Sequence, residues 1–343
     1  TKSSAASDVY KRQMRDSTPF DYLVIGSGFG GAVSALRLAE KGWRVALVEQ
    51  GHRVDREHIL RAKKSPRDLL WLPELGLKRG YFAQQLFQHV AIIGGVGVGG
   101  GSLVWAAVML EPKEDFYDAP ELASTGLDWK AELQPHFTTA RRMLGVATNP
   151  HRSEQDFLLE NTARALGAEN TYGPVPNAIC FDADPGTDPY FDGAGPPREP
   201  CSRCGGCMTG CADNAKNSLD KNYLYFAEQR GVQISTGLKA DRIEPDGDGY
   251  RVTLQSTTGE NESTTLAAKH VVIAAGVVGT LDLLMRNRDQ YGTLPGVSQA
   301  LGAVVRTNSE AITGVLHPPG VDMTVGTGVS SDFYPDANTH VTQ

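Results

Sequence analysis

Apolar and polar positions along the chain alternate between two periods. Tyr22 to Ile25 is a short apolar run of the kind that forms a buried strand. After Gly26, apolar and small residues recur at helical spacing, with Ala32, Ala35, Leu36 and Leu38 on one side. Arg44 to Val48 is a second apolar run, ending on Glu49. Residues 55–88 read as short helices and loops around Pro66 and Pro73. Helical spacing returns at Trp129 to Leu144, at Ser153 to Leu166 and at Ser218 to Arg230, where Gly231 closes the helix. Thr171 to Pro200, rich in Pro, Gly and Asp, predicts a long surface loop. Val232 to Thr236, Lys239 to Pro245 and Tyr250 to Gln255 alternate as strands, with a hairpin turn at residues 246–249. His270 to Ala275 is continuously apolar, which predicts a strand buried on both faces, and a helix follows from about Val278 to Met285.

The first strand, helix and second strand enclose the turn Gly26-Ser27-Gly28-Phe29-Gly30-Gly31. Each glycine has a physical task. Gly26 permits the tight strand-to-helix turn, Gly28 lets backbone approach a pyrophosphate, and Gly31 lets the helix pack close to the sheet. The helix N-terminus offers free N–H groups and a positive dipole end. Glu49 falls 18 residues after Gly31, where an acid accepts hydrogen bonds from a ribose and disfavours a 2′-phosphate. Together these predict a dinucleotide site.

Ala91 to Leu110 carries the run Gly94 to Gly101, too glycine-rich for a stable helix or strand. Its apolar flanks point to backbone passing close to a flat ligand. Cys201-x2-Cys204-x2-Cys207-x3-Cys211 has the spacing of a bacterial ferredoxin half-motif, although Ala212 stands where a proline usually follows. An iron–sulfur cluster, a four-cysteine zinc site and a metal-free loop all remain open. Cys180 reads as a lone buried thiol.

Composition narrows the classes. The 343 residues are 40% hydrophobic and carry a net charge of −7, which suits a globular chain of two domains and argues against a nucleic-acid partner. No apolar run is long enough to predict a transmembrane segment: Val271 to Met285 is interrupted by Thr280 and Asp282. Without a signal-peptide pattern the default expectation is the cytoplasm. Residues 1–13 read as a non-native tail, with Met14 as the native start.

Four stretches in this order resemble the glucose–methanol–choline (GMC) family of flavoprotein oxidoreductases, in its cholesterol-oxidase-like branch. They are GSGFGG with Glu49, GVGVGGGSLVWAAVMLEPKEDFY at 95–117, AKNSLDKNYLYFAEQRGVQI at 215–234 and HVVIAAGVVGTLDLL at 270–284. The resemblance implies an α/β fold: a Rossmann-like, three-layer FAD-binding domain of the glutathione-reductase type, with part of an α+β substrate domain. Residues 14–115 and 205–300 would form the FAD domain, 116–204 a helical and loop insertion, and 301–343 the start of a truncated substrate domain. FAD would lie on Gly26, Gly28 and Gly31, with Glu49 at the adenosine ribose. Gly97, Gly100, Gly101 and Ser102 would cover the flavin. Ala240 would meet the adenine through its backbone, and Ala275 and Gly276 would close over the phosphates. The loop departs from the family at Trp105-Ala106-Ala107, where relatives carry an asparagine.

The implied chemistry is oxidation of an alcohol, with hydride passing to flavin N5 and a histidine taking the proton. That histidine lies near the C-terminus of family members, and neither His317 nor His340 matches it. The expectation is therefore an N-terminal fragment, inactive alone, with no catalytic residue assignable within it. Some flavin dehydrogenases of the family pass electrons to a cysteine-bound cluster. By that analogy Cys201, Cys204, Cys207 and Cys211 would hold a [4Fe–4S] cluster, with zinc as the alternative, for an unspecified acceptor. An NAD-dependent dehydrogenase and a metal-binding electron-transfer module are the rival readings.

Overall fold

Strand β1 (Phe20–Ile25) sits inside a six-stranded sheet, with β2 (Val45–Glu49) parallel on one side. Four later strands complete it: β3 (Gln233–Thr236), β4 (Leu238–Asp246), β5 (Gly249–Ser256) and β6 (Ser263–Ile273). The order is β4-β5-β6-β1-β2-β3. Pairings among β6, β1, β2 and β3 are parallel, whereas β4, β5 and β6 form an antiparallel meander. This computed structural model describes residues 19–258, 262–306, 308–314, 320 and 322–343. The tail at 1–13, Met14 and His317 fall outside them.

Strand alternation divides the interior into two cores and hence three layers. Val24, Val45 and Leu47 face helices α1 (Phe29–Glu40) and α2 (Tyr223–Gln229), packing with Ala32, Ala35, Leu36, Leu224 and Ala227. Leu23, Ile25, Ala46 and Val48 point the other way and pack with Ala240, Ile243, Val252 and Leu254 of the meander. A period of two in β1 and β2 thus feeds both cores, each buried Leu, Ile or Val contributing about 1.5–3 kcal/mol.

Three elements differ from expectation. Ala91–Gly95 is a strand, paired antiparallel with Phe82–Leu86, although the glycine run predicted neither helix nor strand. The glycines take part in the ladder, Gly94 opposite Ala83 and Gly95 opposite Phe82, because a backbone ladder needs no side chain from them. Second, β6 is longer than the apolar run and its 271–273 segment is half-buried. Its first half pairs with β5 while only its last residues flank β1. Third, the helix expected over 218–230 breaks at Asn222, whose side-chain oxygen accepts from the Tyr223 N–H while its amide donates to Asn217 and Ser218 carbonyls.

A buried carboxylate ties helix Glu154–Ala165 to Ser330 and Ser331. Asp156, in helix Glu154–Ala165, accepts from the Ser153 N–H (2.6 Å), Ser330 Oγ (2.6 Å) and Ser331 Oγ (2.7 Å). Burial alone would raise its pKa, but these bonds outweigh burial and hold it below the usual value. A depressed carboxyl contributes stability that is present above about pH 4, its unfolded range, and is lost as pH falls through the folded value. Asp156→Ala is expected to cost about 2–4 kcal/mol, since it strands several buried donors. It should also flatten the acid limb of the stability profile. Urea melts of both proteins at neutral and acid pH check this; equal midpoints throughout would refute it.

Candidate functional site

The turn from β1 into α1 is closed by contacts that only glycine allows. Gly26 has φ +98°, and a Cβ there would lie 2.4 Å from the Ala274 carbonyl oxygen. A Cβ on Gly31 would lie 1.9 Å from the Gly26 carbonyl oxygen, so the helix rests directly on its own turn. Gly28 differs: its backbone is extended (φ −67°), and a Cβ would meet nothing within 4 Å. No side chain caps α1. Its first-turn N–H groups therefore have no intrahelical acceptor and face the approach side, which suits an anion.

Ser27, which the glycine pattern passes over, joins this turn to the glycine loop. Its hydroxyl lies 2.7 Å from Glu49 Oε2 and 3.0 Å from the Gly97 carbonyl, and accepts from the Gly99 N–H. Its N–H also donates to Glu49, whose other oxygen accepts from Gly51 N–H. Glu49 is only 5% exposed. Oε2 is filled by the two Ser27 bonds, whereas Oε1 keeps a further lone pair, so a ribose hydroxyl can add to that oxygen without displacing Gly51. The polar residue inside Gly-Ser-Gly was the available signal.

At the carboxyl ends of β1 and β2 lies a cleft of about 730 Å3. Gly26, Gly28, Glu49, Gly100, Gly101, Ala240, Ala275 and Gly276 all line it. Gly31, Gly97 and Ser102 stand behind the wall instead. Ser102 Oγ donates to the Gly99 carbonyl and accepts from Leu219 N–H, pinning the loop to the 218–222 segment. Gly100 presses on the turn, since its Cβ would come within 2.7 Å of Gly28 Cα. Leu238, Lys239, Asp282 and Arg286, not foreseen from sequence, complete the far end. The residues fit FAD. The cleft is long, glycine-walled at Gly28 and Gly101, where a Cβ would find open space, and has an uncapped helix at its middle and a buried acid beyond.

The four cysteines of the 201–211 loop line one small pocket that opens to solvent, and all five cysteines of the chain are unpaired. Arg203, with φ +61°, turns its N–H onto Cys201 Sγ, and the Ala215 and Lys216 N–H groups donate to Cys211 Sγ. Burial pushes the Cys201 thiol up to about 11 and raises Cys207. Tight convergence of the sulfurs on one point is not found. Among the described residues no three His, Cys, Asp or Glu side chains are grouped to hold a metal ion. The same cavity is lined by Gly205, Gly206 and the carboxylate-bearing Asp213.

Lys216 also lines this cavity and is 3% exposed. Its ammonium donates to the carbonyls of Cys207 (2.6 Å), Leu103 (2.8 Å) and Trp105 (3.2 Å). Burial pulls its pKa down to about 8. Trp105 packs against the helix-side core and meets Phe29 edge-on at 5.1 Å, and Ala107 is held at φ +66°. His340 bonds to Asp332 at 2.8 Å and stacks on Tyr334, and it does not line the cleft.

Comparison with known proteins agrees with this geometry. The sequence model described as GMC oxidoreductase matches residues 197–287, and that of an FAD binding domain matches residues 21–60. The chain is 42% identical to a cholesterol oxidase of Acinetobacter baumannii over 337 residues, covering 94% of this chain and 60% of the relative. It is likewise 42% identical to a cholesterol oxidase of Mycobacterium tuberculosis, of which it covers 57%. The chain therefore spans less than two thirds of the length of these curated relatives. In fold it is similar to pyridoxine 4-oxidase from Mesorbium loti, with a TM-score of 0.51 and 18% identity over 78% of this chain and 51% of that one.

Proposed function

The chain belongs to the GMC oxidoreductase family, and on that premise we propose that it serves FAD-dependent oxidation of a CH–OH group in a sterol or another bulky alcohol. The observation that carries this reading is the cleft running from Ala240 past Gly28 to Gly101. When bound there, FAD supplies the hydride acceptor. The uncapped start of α1 holds the pyrophosphate, and Glu49 holds the ribose while its charge repels a 2′-phosphate. Gly100 and Gly101 bring backbone against the ligand with no side chain between. No described residue is assigned the proton-accepting role.

The printed names of the relatives support a sterol, and the unpaired thiols suit a cytoplasmic setting. The finer part of the reading is an iron–sulfur electron exit at Cys201, Cys204, Cys207 and Cys211. A cluster held there would supply one-electron transfer. The ferredoxin-like spacing, the common cavity and the N–H groups aimed at sulfur support it.

The protein should purify yellow, with a band near about 450 nm that bleaches anaerobically on addition of a sterol alcohol. Colourless protein that binds NAD would overturn the proposal.

A further inference from the structure

Helix α3 (Gly276–Met285) lays one face along the cleft: Gly276, Gly279, Asp282 and Leu283, with Arg286 just beyond its end. Their spacing of three or four residues puts them on one side of the helix. The glycines leave the near end bare, and the charges collect at the far end. There the helix stands opposite Leu238, Lys239 and Ala240 at the start of β4. Leu238, Ala240 and Leu283 are buried and give this slot an apolar floor. The slot lies beside the strand end that carries Glu49, since Leu238 and Ala240 share a core with Ala46 and Val48.

Both walls are tied together from behind. Asn287 is fully buried: its side-chain oxygen accepts from the Ile243 N–H (2.7 Å), and its amide donates to the carbonyls of Asp241 (3.0 Å) and Leu283 (2.8 Å). Arg286 Nη1 donates to Asp241, and the Tyr291 hydroxyl donates to the same carboxylate at 3.2 Å. At the rim, Asp282 Oδ2 lies 3.2 Å from Arg286 Nη2 and 3.8 Å from Lys239 Nζ. The Asp282 side chain is 46% exposed, so its carboxylate has acceptor positions open toward the cleft. An apolar floor with an acid and two cations around it suits a neutral heteroaromatic base better than a phosphate.

The polar groups of the slot differ in what they could distinguish. Every purine accepts at N3 and N7, so an ammonium such as Lys239 donating there would not select among purines. Arg286 offers the cleft no donor edge, because Nη1 is on Asp241 and both Nε and Nη2 are closed to solvent. Adenine is set apart by a donor, its exocyclic 6-amino group, and a donor is read by an acceptor. We infer that Asp282 is a specificity-determining residue that reads the base of the bound dinucleotide, its carboxylate accepting from the 6-amino group of adenine. This rests on the FAD reading above and adds to it a side chain that selects the base. Glu49 and Asp282 then divide the adenosine between them, one acid at the ribose and one at the base.

The test titrates flavin-stripped protein calorimetrically with two probes, ADP and purine riboside 5′-diphosphate, which differs from ADP only in lacking the 6-amino group. Wild-type protein should bind ADP about 10-fold or more tightly than the analogue, the effect of one hydrogen bond to a charged acceptor. Asp282→Ala should weaken ADP by about the same factor and leave the analogue within about 2-fold, so that the preference disappears. Arg286 keeps its bond to Asp241 in that variant, which retains the wall of the slot. If Asp282→Ala does not fold, Asp282→Asn is read instead; it keeps an acceptor without the charge and should retain only part of the preference. Equal weakening of both probes would make Asp282 a structural anchor of the helix and overturn the inference. A wild-type protein that binds both probes alike overturns it too, and in either case flavin uptake leaves the FAD reading standing. Protein that takes up neither FAD nor ADP overturns the FAD reading and this inference with it.

Discussion

Gly28→Val is expected to abolish FAD retention while leaving the protein folded. The backbone at Gly28 is extended, a conformation valine adopts freely, and the added Cβ meets no atom within 4 Å. The open space it enters is part of the cleft beside the uncapped helix start. Valine there would hold the pyrophosphate away from those N–H groups. Losing two charge-assisted hydrogen bonds, at about 1.5–3 kcal/mol each, weakens binding by at least about 100-fold. Flavin absorbance after gel filtration and an apoprotein melting curve would check this. A variant that keeps its flavin would show that the pyrophosphate does not pass Gly28.

Gly31→Ala, only three residues on, should fail in the opposite manner. Its methyl would sit 1.9 Å from the Gly26 carbonyl oxygen and 3.4 Å from the Ala274 side chain. Neither neighbour has room to yield, because Gly26 is already against Ala274 and its N–H bonds the Val48 carbonyl. The helix must lift from the sheet, opening the core around Ala32, Ala35 and Leu36. The expected cost is about 3 kcal/mol or more, seen as a lowered denaturation midpoint with or without FAD. Equal stability of the variant would mean that α1 does not rest on its turn. One glycine motif thus contains a ligand position and a packing position, which two substitutions separate.

What was legible in the sequence follows from the range of the forces involved. The β1–turn–α1–β2 unit is local: apolar period, glycine spacing and terminal acid all lie within thirty residues, and the structure brings Gly26, Gly28 and Glu49 to one cleft. The three layers follow from alternation in β1 and β2, although only the family resemblance indicated them in advance. Less legible were features set by distant partners. The Ala91–Gly95 strand exists because Phe82–Leu86 pairs with it, and composition alone argued against it. Ser27 looks like filler until Glu49 and Gly97 arrive around it. Gly97 and Ser102 belong to the right loop, but a loop that curls over a cleft turns some residues in and others away. Lys216 showed no pattern, since an isolated lysine normally marks a solvated surface.

The position of β1 has a kinetic consequence. It hydrogen-bonds to β2 early in the chain, but its other edge pairs Phe20 with Ala268 and Ile25 with Ile273. During synthesis one edge of this apolar strand therefore stays open until Ile273 has been made, about 250 residues after β1. Contacts of such long sequence separation form slowly, because the loop they close must be ordered before they stabilise anything. An unpaired apolar edge is also the feature by which nascent chains associate with one another. Yield of soluble protein should depend on how quickly β6 reaches β1, so slower, cooler expression or a holdase chaperone would be expected to favour it.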